Sequence, residues 1–100
     1  METVQKVSVS EQEERLVFAM NILGDKTRYK MFKLLTGNQE LCVSEIADQL
    51  GISVSAVSQH FKNFEMTGLV EKNRYGQKIC YGLKDEAFVD NIKKVVESNI

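Results

Sequence analysis

The side chains best suited to chemistry lie between residues 51 and 84. The basic residues there are Lys62, Lys72, Arg74, Lys78 and Lys84, against Glu65 and Glu71 alone. The rest of the chain is net negative, and the whole carries a formal charge of −1. A positive strip on an otherwise acidic protein is an electrostatic footprint for nucleic acid, while the small overall charge argues against a nonspecific coater of DNA. Within the strip, Ser55-Ala56-Val57-Ser58-Gln59-His60 offers the residue types that read base edges. Gln59 is able to pair bidentately with adenine, Ala56 to touch a thymine methyl, and Ser53, Ser55 and Ser58 to allow close approach. Lys62, one helical turn further, suits a phosphate, with Asn63 beside it. His60, the single histidine, falls on the flank and reads as a packed or phosphate-facing side chain. Arg74, Tyr75, Gln77 and Lys78 form a basic finger that suits phosphates or a minor groove.

A polar solvated face and a solvated turn would look similar residue by residue. The shortage of acidic groups in this stretch is what favours DNA. Catalysis finds no support: one histidine with no cysteine or serine at a plausible pairing position, and no phosphate-binding glycine loop. The readings therefore call for no catalytic residue and no cofactor.

The elements that must carry these residues are short. Ile46-Ala47-Asp48-Gln49-Leu50-Gly51-Ile52-Ser53 reads as a short helix over 45–50, opened by Ser44, then a glycine turn and a capped second helix over 54–67. That order is a helix-turn-helix, whose second helix enters a major groove. At about 100° per residue, Val54, Val57, Phe61 and Phe64 share the core side, opposite Ser55, Gln59 and Lys62. Residues 69–73 and 78–83 alternate as strands around Arg74-Tyr75-Gly76-Gln77, a hairpin. Upstream, Ser10 and Glu13 form a capping box for a helix to about Leu23, and Asp25 caps another to about Thr36. The chain closes on a helix over about 85–99. Leu16, Phe18, Met20 and Leu23 on the first helix belong to an apolar surface wide enough to meet more than its own chain, and Phe88, Ile92, Val95 and Val96 form an apolar stripe on the last. The expected fold is mainly α (α+β): about five helices with a β-hairpin wing, a winged helix-turn-helix over residues 10–100 behind a flexible arm over 1–9.

Four stretches closely resemble the ArsR/SmtB family of winged-helix repressors: Glu40 to Ala47, Ser55 to Phe61, Gly68-Leu69-Val70, and Tyr75 to Leu83. Lys26-Thr27-Arg28-Tyr29 is similar to that family's second-helix start. The resemblance implies a homodimer joined through its first and last helices, binding double-stranded DNA at an operator of approximate two-fold symmetry. It also implies release on a chemical signal, often a metal or metalloid. One family sensor site is a Cys-Val-Cys, where this chain has Cys42-Val43-Ser44; the other needs histidines, which the last helix lacks. Carboxylates alone hold soft or borderline metals poorly, so neither standard metal site is expected intact, and the residues leave the effector open.

Cys42 and Cys80 raise a separate option. Leu41 and Val43 facing inward would turn Cys42 outward, and Ile79, Tyr81 and Leu83 would do the same to Cys80. In a winged helix the short strand joins the wing sheet, which would set both thiols on one face within disulfide reach. The ordinary reading is two reduced, half-buried residues; the alternatives to a plain repressor are a thiol switch on this pair and a winged helix used for protein contact.

A chain of 100 residues is one small domain. Two cysteines are too few for a disulfide framework, no apolar run would span a bilayer, and Met1 to Lys6 lacks a signal-peptide layout. The expected setting is cytoplasmic, with no membrane partner.

Overall fold

The computed structural model describes residues 6–100; the first part of the expected arm, residues 1–5, lies outside the described residues. Residues 6–10 have no regular structure, with Val7 and Val9 exposed. The order is α1 (Glu11–Leu23), α2 (Lys26–Thr36), β1 (Leu41–Cys42), α3 (Val43–Leu50), α4 (Val54–Thr67), β2 (Val70–Tyr75), β3 (Lys78–Leu83) and α5 (Ala87–Glu97). The fold is therefore the winged helix-turn-helix that the residue pattern predicts.

Local chemistry sets most boundaries. The Ser10 hydroxyl accepts from the Glu13 amide at 3.1 Å while Glu13 accepts from the Ser10 amide at 2.9 Å, the reciprocal capping box. Asp25 caps α2 by accepting from the Arg28 amide at 3.0 Å, which holds its carboxyl below the usual range. Gly51 ends α3 at φ +66°, a left-handed conformation that L side chains rarely adopt, and so lets the chain reverse within three residues.

The core gathers Met31, Phe32 and Leu35 of α2, Ile46 of α3, Val57, Phe61 and Phe64 of α4, Leu69, and Val89 of α5, each at most 2% exposed. The sheet is antiparallel in the order β1-β3-β2, so the short strand flanks the second wing strand as expected.

Several expectations need correction. Ser44 does not open α3: the helix starts at Val43, capped at Cys42, whose amide donates to Glu45 Oε1 at 2.8 Å. Val54 does not join the core; it is 50% exposed and lines the cleft between α4 and the wing tip. Strand β2 runs on through Arg74 and Tyr75, so the wing turn is only Gly76-Gln77, and α5 starts at Ala87 instead of Asp85. The largest difference concerns the thiols. Cys42 pairs in register with Cys80 and the two form a disulfide. Neither faces outward: Cys80 is fully buried and Cys42 nearly so. The simple alternation rule fails here because β1 lasts two residues and turns straight into a helix, while β3 is the central strand.

Candidate nucleic-acid interface

Helix α4 is held from behind and left open in front. The Phe61 ring stacks on Tyr81 of β3 at 3.8 Å between centroids with planes 10° apart, and tilts against Phe64 at 5.7 Å. The Tyr81 hydroxyl donates to Glu65 Oε1 at 2.8 Å. Burial, then the Glu65 carboxylate, pushes the Tyr81 phenol well above its ordinary range, so it stays a donor and fastens the wing strand to α4. The other side of α4 presents Ser55, Ser58, Gln59 and Lys62 exposed, with Ala56, His60 and Asn63 partly exposed. Ser53 is exposed, but its hydroxyl is engaged as the cap, accepting from the Ala56 amide at 3.0 Å.

The wing stands beside this face. Gly76, at φ +65°, closes the tight two-residue turn that β2 and β3 require, leaving Arg74, Tyr75, Gln77 and Lys78 exposed around it. A cleft of about 190 Å³ is lined by Val54 and Ser58 of α4 together with Gln77 and Lys78 of the wing tip, so the two candidate surfaces adjoin. Among the described residues the single ion pair is Arg15 with Glu86. Lys62, Arg74 and Lys78 are thus exposed cations without a carboxylate partner. Tyr75 is less free, since its hydroxyl donates to Glu40 Oε2 at 3.0 Å and Asn73 Nδ2 donates to the same oxygen at 2.7 Å. That bond raises the Tyr75 phenol above its usual value.

Two positioning groups escape a reading of the sequence. The Arg15 guanidinium donates to the Thr67 carbonyl at 3.2 Å and to both Glu86 oxygens, at 2.8 and 3.2 Å, and sits 4.0 Å over the Phe88 ring. It therefore joins α1, the end of α4 and the start of α5. Its signal was available: Arg15, Ala19 and Ile22 share one helical stripe, and a cation on a core-facing stripe needs a partner. The Tyr81–Glu65 bond had no such signal, because Tyr81 reads simply as an inward strand residue.

The candidate dimer residues divide. Leu16, Phe18, Met20 and Val95 are exposed, Leu23, Phe88 and Ile92 are partly so, and Val96 is only 4% exposed and belongs to the chain's own core. Leu16, Phe88, Ile92 and Val95 line one shallow groove between α1 and α5.

The donors at the two family metal sites do not fit a metal. The Cys42 sulfur is bound to Cys80, Ser44 stands where a second thiolate would be, and Glu86 is committed to Arg15. Among the described residues no three metal-ligating side chains gather.

Comparison with known proteins gives the same picture. The family model for bacterial regulatory proteins of the arsR family matches residues 25–72. The chain is 33% identical over 72 residues to a cadmium resistance transcriptional regulatory protein, CadC, of Listeria innocua, covering 72% of this chain and 56% of that protein. It is 35% identical over 80 residues to an arsenic resistance transcriptional regulator of Pseudomonas putida, covering 77% and 62%. The chain thus spans under two thirds of the length of these curated relatives. Among solved structures, HlyU of Vibrio cholerae superposes with a TM-score of 0.81 at 24% identity, covering 91% of this chain and 97% of that one. The transcriptional regulator HlyU of Vibrio vulnificus gives 0.74 at 28% identity, covering 89% and 91%. On the family match and the identity to its curated members, in a fold that those structures share, the chain belongs to the ArsR/SmtB family.

Proposed function

We propose that the chain is a sequence-specific DNA-binding transcriptional regulator, a repressor, acting as a homodimer on a near-palindromic operator. One observation carries the reading: an unpaired polar face of α4 and an unpaired cationic wing tip border the same cleft. Gln59, Ser55, Ser58 and Ala56 read base edges in the major groove, with Asn63 and His60 at the flank. Lys62, Arg74 and Lys78 take phosphates, Gln77 and Tyr75 steady the wing, and Ser53 orients the first turn of α4. Relatives named as transcriptional regulators of cadmium and arsenic resistance support the regulatory role, and a homodimeric winged helix-turn-helix DNA-binding domain among the structural neighbours supports the assembly. A second copy covers the α1/α5 groove and its exposed surroundings. We assign residues 10–100 to this domain and its work to the cytoplasm, where a regulator meets its DNA; no helix among the described residues is long and apolar enough to cross a membrane.

Selection of bound sequences from random DNA, followed by a salt titration on the winning duplex, tests the reading. The expected result is a two-fold symmetric site whose affinity falls linearly on a log–log plot against salt. A winged helix used only for protein contact would yield no enriched sequence and no salt slope, and that outcome overturns the proposal.

A further inference from the structure

We infer that Cys42 is a thiol–disulfide exchange site, through which small thiols and disulfides set how firmly the wing is tied to the helix-turn-helix. The DNA-binding consequence rests on the function proposed above; the exchange site does not.

The two sulfurs are not equivalent. Cys80 is 0% exposed in the middle of the central strand, whereas Cys42 reaches 9% and lines the cleft that also holds Ser58, Gln77 and Lys78. An attacking thiol must approach through that opening, and access decides which sulfur is attacked. Cys42 also stands at the N-cap of α3, with the Lys78 cation on the same cleft, which makes Cys42 a good leaving group when the mixed disulfide is resolved. The probe class is therefore a small, anionic, low-molecular-weight thiol.

The exchange balances without any further reactant. A small thiolate attacks Cys42 Sγ, the bond to Cys80 breaks, and its electron pair goes to Cys80, which takes up the proton that the attacker released. A second small thiolate attacks the outer sulfur of the mixed disulfide, and Cys42 leaves as a thiolate and is protonated. Two thiols have become one small disulfide, and the protein holds two thiols; the same steps reversed, with a small disulfide as oxidant, restore the bond.

What reduction loosens follows from the topology. Strand β1 meets β3 at two register positions, Leu41 with Tyr81 and Cys42 with Cys80. The wing hairpin has six of its own and keeps Tyr81 stacked on Phe61. Breaking the bond leaves the wing standing and frees chiefly β1 and the first turn of α3. The disulfide spans 38 residues, from the entry of the helix-turn-helix to the wing, so it removes freedom that DNA binding would otherwise have to remove. The oxidised chain is the tighter DNA binder, and a bound duplex, lying over the cleft, shields Cys42.

The full chain is equilibrated in buffers of reduced and oxidised glutathione, quenched with acid and mapped by peptide mass spectrometry. Its affinity for a selected duplex is read by fluorescence anisotropy in the same buffers. The glutathione adduct is expected on Cys42 over Cys80 by about tenfold, and affinity is expected to fall about tenfold on reduction. A specific duplex should slow the reduction. Equal labelling of the two cysteines overturns the exchange site, and an affinity indifferent to the glutathione ratio overturns the switch. Absence of specific binding in both states would instead sink the DNA-binding reading, while the labelling ratio still judges the site. Cys80→Ser should carry the adduct on Cys42, and Cys42→Ser should carry none; if either fails to fold, the wild-type mapping decides alone.

Discussion

Two exposed regions of this small domain differ in kind. The front of α4 and the wing tip show serines, two glutamines and cations, with Val54 and Tyr75 as the larger apolar or aromatic side chains nearby. The α1/α5 side shows Leu16, Val17, Phe18, Met20 and Val95, each at least 40% exposed. Water satisfies the first surface at no penalty, so its polarity is a resource kept for a polar partner. The second surface gains only when something apolar covers it, and a patch of that kind on a small domain marks an interface. On the function proposed above, the contrast is a division of labour: one region reads, and the other sets how far apart two reading heads stand.

That division is broken most severely by a charge on the apolar side. Leu16→Asp places a carboxylate in the groove shared with Phe88, Ile92 and Val95, where an unpaired buried charge costs about 3–5 kcal/mol. Analytical ultracentrifugation should show monomers, and operator affinity should drop by about a hundredfold or more because the two half-sites are no longer engaged together. A dimer that survives this change would return α1 and α5 to the status of a solvated surface. On the reading side, Gln59→Ala should remove about 1–3 kcal/mol of discrimination at one base pair per half-site, measured by competition between single-base variants. The oligomeric state should not change.

Much of this contrast is legible in the sequence, because α1, α4 and α5 are helices whose faces helical angle arithmetic separates, and the glycine turn marks the wing tip. Val57, Phe61 and Phe64 fall inward as the spacing predicts. The arithmetic fails where an element is too short for periodicity to hold. Val54 belongs to the apolar stripe but sits half-exposed in the first turn, at the cleft beside the wing tip. Cys42 lies on a two-residue strand that becomes a helix, so alternation carries no information about its direction. Val96 shares the apolar stripe that points toward a partner, yet α5 turns it into the chain's own core. Arg15 is a different failure, since its partners lie 52 and 71 residues away and local pattern does not reach them.

A smaller change sharpens the reading region internally. Arg74→Ala should weaken every duplex by a similar few-fold factor and lower the salt slope by about one, because a phosphate contact carries no sequence information. A loss confined to one sequence would move Arg74 from backbone to base contact, and the wing would then read a groove.

The smallest effect expected concerns the joint between the two regions. Arg15 on α1 holds Glu86 at the start of α5 while also grasping the end of α4. Its hydrogen bonds to Glu86 lower that carboxyl below the ordinary glutamate range. A carboxyl lowered on folding contributes stability in full above its unfolded pKa, and loses it as pH falls through the folded value. Thermal stability should therefore decline on the acid side, and Arg15→Gln should flatten part of that decline. The part contributed by Asp25, lowered chiefly by its bond to the Arg28 amide, should remain in the variant. Glu86 is solvent-accessible, so the difference reads as a changed slope in melting temperature against pH and not as a collapse of the fold. If the acid limb of Arg15→Gln instead overlays that of the wild type while DNA affinity falls, Arg15 matters through its hold on the Thr67 carbonyl. The joint would then be a mechanical tie to α4 whose charge is incidental.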